Sequence, residues 1–188
     1  MKQRSLNAMA TILALLCLPA LALAQPLTAT DITAILSAHN EARYAVTPPA
    51  AAMPALVWDK NLAAVAQAYA SLGHFGHNSR RTSQYRARRG SASYVGENIA
   101  AISGFESSVS TLVGLWVAEG RWYNATTNRC PGHECGHYTQ VVWANTVAIG
   151  CGRAAITSPF VGTMLVCNYA PGGNYAGQAP YVVVPGSN

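Results

Sequence analysis

His133, Glu134 and His137 stand in the pattern H-E-x-x-H within PGHECGHYTQVVW, residues 131–143. On a helix this spacing puts two imidazoles on one face, where they share a zinc ion while the glutamate activates a bound water, as in zinc peptidases. The chemistry needs the helix. Pro131, Gly132 and Gly136 bracket or interrupt the pattern, glycine costs about 1 kcal/mol relative to alanine inside a helix, and the residues from Tyr138 onward alternate in strand style. The segment therefore reads as a turn leading into a strand, and the zincin pattern as a coincidence. No Ser-His-Asp grammar or glycine-flanked nucleophile accompanies it, and oxidised cysteines would leave no thiolate nucleophile.

The elements around these residues begin with a leader. Lys2 and Arg4 precede an apolar run from Ala8 to Leu23, which is broken by Pro19 and ends at Ala22-Leu23-Ala24. Residues 1–24 read as a secretory signal peptide with an A-x-A cleavage site, and residues 25–188 as one exported, monomeric domain with no transmembrane anchor. Cys17 follows Leu16 where a lipoprotein signal wants a small residue, so no lipid anchor is expected. The formal net charge of +5 falls to +3 when Lys2 and Arg4 leave with the leader. Arg80, Arg81, Arg86, Arg88 and Arg89 all lie in SRRTSQYRARRG, which reads as a solvated polar loop in preference to a site for an anionic lipid or polymer. No nucleic-acid motif is present.

Cys130, Cys135, Cys151 and Cys167 remain, an even number suited to two disulfides in an oxidising compartment. Counting allows three pairings. Cys130 and Cys135 flank a Pro-Gly turn while Cys151 and Cys167 sit on two strand-like runs, so 130 with 135 and 151 with 167 is the expected pairing. Upstream, LTATDITAILSAHNEARYAV reads as a helix capped by Thr28 or Thr30, with Ile32, Ile35, Leu36 and His39 on its inward face. Asp59 caps a second helix with Leu62, Val65, Ala66 and Tyr69 as its stripe and Gly73 as its stop. In SSVSTLVGLWVAEGRWY, Val109, Leu112, Val113 and Trp116 form an apolar stripe that Glu119 extends. YTQVVWANTVAIGCGRAAI, VGTMLVCNYAPGG and YVVV read as strands. Helices first and strands last suggest an α+β domain.

CGHYTQVVWANT, together with HNEAR at 39–43, MPALVWDKNLAAVAQAYA at 53–70, YVGENIA at 94–100, LWVAE at 115–119 and CNYAPGGNY at 167–175, resembles the CAP superfamily. That superfamily holds plant pathogenesis-related 1 proteins, cysteine-rich secretory proteins and many bacterial SCP-domain proteins, and the chain is read as a bacterial member. The resemblance implies an α-β-α sandwich with a central antiparallel sheet and a cleft lined by His77, Glu97, Glu119 and His137. His74 competes with His77 for the first place, and Asn78 stands where the family has Ser. Gly73 replaces the first cysteine of the six-cysteine plant pattern. The tail from Pro171 to Tyr181 matches a peptide released from plant relatives, with Ala170 where they carry Asp.

Two imidazoles beside two carboxylates can hold a weak divalent cation, with His77 and His137 as ligands to Zn2+ or a similar ion, or can satisfy one another in a polar pocket. His39 and Asn40 are expected to buttress the core and His133 to lie exposed. The functional expectation is a secreted, non-enzymatic module that binds a lipid, sterol or other extracellular ligand, with host interaction or defence as its setting. It requires no cofactor. The alternative is a zinc-dependent hydrolase using the same four residues.

Overall fold

The computed structural model describes residues 26–105 and 107–186. The segment read as a signal peptide, 1–24, lies outside the described residues. In chain order the elements are α1 (Ala29–Tyr44), β1 (Val57–Trp58), α2 (Lys60–Ala70), α3 (Arg81–Ala87), β2 (Gly96–Ser103), α4 (Val109–Ala118), a 3-10 turn (Glu119–Trp122), α5 (Gly136–Val141), β3 (Ala148–Ile156) and β4 (Gly162–Ala170).

Capping chemistry sets the starts of the long helices. Thr28 and Asp31 form a reciprocal capping box on α1, Asp59 accepts from the amides of Asn61 and Leu62 on α2, and Ser108 accepts from Thr111 on α4. The sheet has the order β1-β3-β4-β2. β4 runs antiparallel to both neighbours, whereas the two residues of β1 run parallel to β3. The sheet is thus mixed at one edge.

All of β4 is buried, as expected of a strand covered on both faces. Leu165, Cys167 and Tyr169 face a core shared with Ile35 of α1, Leu112 and Trp116 of α4 and Val141 of α5. Met164 and Val166 face the opposite way, against Ala66 and Ala70 of α2. This alternation makes the α-β-α sandwich. α2 lies close on β3 because Gly150 and Gly152 have no side chains, and a Cβ at either would collide with the backbone of Ala63 or Gln67. Gln67 then clamps the contact, donating to the Arg153 carbonyl at 3.0 Å and accepting from the Arg153 amide at 3.1 Å.

Cys130 is bonded to Cys135, and Cys151 to Cys167. The second bridge joins directly opposed residues of β3 and β4. With 16 residues of separation, its loss in Cys151→Ala/Cys167→Ala is expected to lower the unfolding free energy by about 3 kcal/mol on the chain-entropy model. Urea unfolding of the double variant measures this directly.

Three expectations need correction. The stretch from Tyr138 was read as strand, but Gly136–Val141 is helical: Glu119, from another element, satisfies the first amides of that helix, and Gln140, Val141 and Val142 are buried. Tertiary contacts override the β propensity of Tyr, Thr and Val there. The run Tyr181 to Val184 makes only an isolated bridge, Ala50 with Val183. The loop read over the arginines contains α3, which Tyr85 anchors by burying its ring and donating to Asp59 at 2.8 Å.

Candidate functional site

Four side chains from four separate segments form two imidazole-carboxylate pairs. His77 lies in the loop between α2 and α3, and Glu97 is the second residue of β2. His77 Nδ1 donates to Glu97 Oε1 at 2.9 Å, and the Asn78 amide donates to the same oxygen at 2.8 Å. The other oxygen, Oε2, is buried without a hydrogen-bond partner. Glu119 follows the last residue of α4 and reaches the start of α5. Its Oε1 accepts from His137 Nδ1 at 2.6 Å, and its Oε2 accepts from the amides of His137 and Tyr138 at 3.0 and 3.2 Å. One carboxylate therefore both caps the short helix and orients the ring that the helix carries.

A carboxylate only accepts, so both imidazoles carry the proton on Nδ1 and present Nε2 as the remaining nitrogen. His77 and His137 line one cavity of about 260 Å³ with Phe75, Gly76 and Ile99. The carboxylates stand behind the rings: the side chain of Glu97 is fully buried and that of Glu119 is 20% exposed, against 60% for His77 and 35% for His137.

A hydrogen-bond chain ties this cavity to the core. His39 Nδ1 donates to the Ile35 carbonyl at 2.8 Å, which leaves Nε2 to accept from the Tyr169 hydroxyl at 2.9 Å. That hydroxyl accepts from Asn98 Nδ2 at 3.2 Å, and the same amide donates to the His137 carbonyl at 3.0 Å. Trp116 lies parallel to the His137 ring with centroids 6.4 Å apart. Asn98 and Tyr169 lie within the GEN and CNY motifs, and neither is marked as a site residue by its local sequence. Phe75 and Ile99 carried no signal, because nothing local distinguishes a cavity wall from any other apolar residue.

The zinc-peptidase pattern does not assemble. His133 and Glu134 sit in the turn before α5 and line a separate cavity of about 380 Å³ with Tyr123, Trp143 and Tyr175. His133 is exposed and stacks on Trp122, centroids 3.6 Å apart. His74 is also exposed and packs its ring edge-on to Tyr69. His77, not His74, pairs with Glu97. Asn40 holds both backbone groups of Leu56, accepting from its amide at 2.7 Å and donating to its carbonyl at 3.3 Å.

A model of the CAP family, described as the cysteine-rich secretory protein family, matches residues 36–169. The chain belongs to this family. It is 42% identical over 170 residues to a pathogenesis-related protein of PR-1 type from Sambucus nigra, covering 89% of this chain and 93% of that protein. It is 40% identical to GLIPR1-like protein 1 from Bos taurus, covering 78% of this chain and 61% of the relative. Peptidase inhibitor 16 from Mus musculus is 41% identical, and the match spans only 30% of its length. These relatives are plant and mammalian, and they lend no support to a bacterial origin. Among solved structures, the venom allergen-like protein 4 of Schistosoma mansoni aligns with a TM-score of 0.67 at 27% identity, covering 84% of this chain and 97% of that one. The CAP fold thus brings both pairs to one cavity.

Proposed function

We propose that this CAP protein is exported and binds the polar end of an apolar ligand, a fatty acyl chain or sterol, in the cavity between His77 and His137 without turning it over. The observation that carries this reading is one cavity lined by Phe75, Gly76 and Ile99 together with both imidazoles, His77 and His137, whose Nδ1 atoms are taken up by Glu97 and Glu119. Its volume of about 260 Å³ falls just under the 300–1,000 Å³ range of whole-ligand sites. It suits a headgroup and the first part of a chain, with the remainder lying outside. Export is supported by the leader read in residues 1–24 and by the two disulfides.

The remaining Nε2 nitrogens suit a divalent cation such as Zn2+. His77 and His137 would hold it, with Glu97 and Glu119 fixing the rings through Nδ1, and a bound cation would polarise a ligand oxygen. Among the described residues no group of three or more His, Cys, Asp or Glu is placed to hold a metal, whereas catalytic zinc uses three protein ligands. The donor set favours a weak accessory ion over the zinc hydrolase.

A fluorescent fatty acid tests the reading. Phe75→Asp is expected to weaken its binding tenfold or more, since burying a phenylalanine is worth roughly 1.5–3 kcal/mol. Chelator is expected to leave the affinity unchanged. Zinc binding followed by calorimetry should fall about 10–100-fold in Glu119→Gln. Fatty-acid binding that Phe75→Asp leaves intact would move the ligand site elsewhere.

A further inference from the structure

No Asp or Glu occurs between Asp59 and Glu97, while five arginines do. One of them, Arg81, is structural: it donates to the Val95 carbonyl at 2.7 Å, the Asn78 carbonyl at 3.0 Å and the Tyr94 hydroxyl at 3.1 Å. Arg80, Arg86, Arg88 and Arg89 are exposed. Their guanidinium groups have no carboxylate partner among the described residues.

Two large apolar side chains in the segment between α2 and α3 are exposed, Leu72 at 71% and Phe75 at 48%. Ala68, one helical turn before Leu72, lines a groove with Gln84, Ala87 and Arg88. Asn78 ties the intervening loop to α3 by donating to Gln84 at 2.9 Å. Leu72, Phe75 and the free arginines are thus carried by one continuous excursion packed along α2. Phe75 is also a wall of the cavity edged by His77 and His137.

We propose that this surface docks the protein on an anionic lipid bilayer, the four free arginines against the headgroups and Leu72 and Phe75 in the interfacial layer. Charge complementarity selects an anionic partner. The two apolar side chains select a bilayer over a soluble polyanion, which would leave them in water. Docked this way, the cavity would open toward the surface that supplies its ligand. That use rests on the acyl or sterol reading above, whereas the docking itself does not.

Co-sedimentation with phosphatidylcholine vesicles, with and without phosphatidylserine, tests it. Binding is expected only with phosphatidylserine, and is expected to fade between about 0.1 M and about 1 M salt as the screening length falls from about 10 to about 3 Å. Arg86→Ala/Arg88→Ala/Arg89→Ala should lower the partition coefficient on the order of a hundredfold, roughly fivefold per arginine. Leu72→Ser should lower it by about tenfold, and both variants should keep the wild-type circular dichroism spectrum. Equal partition to both vesicle types, or an unchanged triple variant, would overturn the proposal. So would retention on heparin without vesicle binding, which marks a polyanion site. Fatty-acid tracer binding in vesicle-free solution, measured on the same variants, separates failure of docking from failure of the cavity.

Discussion

Arg43→Met is expected to lower the unfolding free energy by about 4 kcal/mol, the largest single loss among the substitutions considered. Arg43 is fully buried on α1 and faces backbone carbonyls. Its Nε and Nη2 donate to Pro54 at 3.1 and 2.8 Å, Nη1 to Val141 and Trp143 at 3.0 and 2.8 Å, and Nη2 also to Thr146 at 3.0 Å. Burial pulls its pKa down to about 10, which still leaves the cation intact at neutral pH. Methionine fills much of the volume and removes the cost of burying the charge, but it strands the carbonyls of Pro54, Val141 and Thr146, each worth about 1–3 kcal/mol when buried unpaired, while the Trp143 carbonyl keeps the Thr146 amide. Lysine has a single ammonium and cannot span the fork, so Arg43→Lys should recover about half of the loss. The carbonyls of Val141, Trp143 and Thr146 belong to the end of α5 and the turn into β3, so the same variant should loosen the helix that carries His137. Urea unfolding with an unchanged m-value measures the loss, and a change below about 1 kcal/mol would show that water replaces the guanidinium at no cost.

The long helices were legible because their signals are local: Thr28 or Thr30 and Asp59 mark where α1 and α2 begin, and Ile35, Leu62 and Trp116 mark the buried side of each long helix. β3 and β4 were legible from their Val, Ile and Thr content. α5 was not, because its start is stabilised by Glu119, a residue 18 positions upstream, and no local pattern encodes that contact. β2 gives no strand signal of its own, since Gly96 to Ser103 is buried almost throughout and shows no alternation. The two imidazole-carboxylate pairs were reached through resemblance to the CAP superfamily and not through spacing, because His77 and Glu97 are 20 residues apart. The inward role of His39 did follow from helical periodicity. Its partner Tyr169, 130 residues away, did not.

That pair makes the fold sensitive to acid. Burial, with the nearby Arg43 cation adding to it, lowers the His39 pKa from 6.5 to about 4, against the opposing bond to Ile35. Between those values the unfolded chain binds a proton that the folded chain refuses, so stability rises with pH through this window. The contribution is fully present above about pH 6.5 and is lost as the pH falls toward 4, an expected decline of about 3 kcal/mol at 1.36 kcal/mol per pH unit. Protonation would also put a second donor on the Tyr169 hydroxyl, which already accepts from Asn98. The hydroxyl proton would lose its acceptor, and the bond from Asn98 that holds the His137 carbonyl would weaken with it. Acid should therefore loosen the backbone at His137 as it destabilises the core, while Glu119 still holds the ring. His39→Leu removes the titration at the cost of a lower plateau at neutral pH, and the carboxylates that also titrate in acid are common to both proteins. Urea unfolding of wild type and variant at pH 7 and pH 4.5 isolates the histidine: the difference between them should shrink by about 2–3 kcal/mol on acidification. A constant difference would mean that His39 accepts its proton in the folded protein as readily as in the unfolded chain.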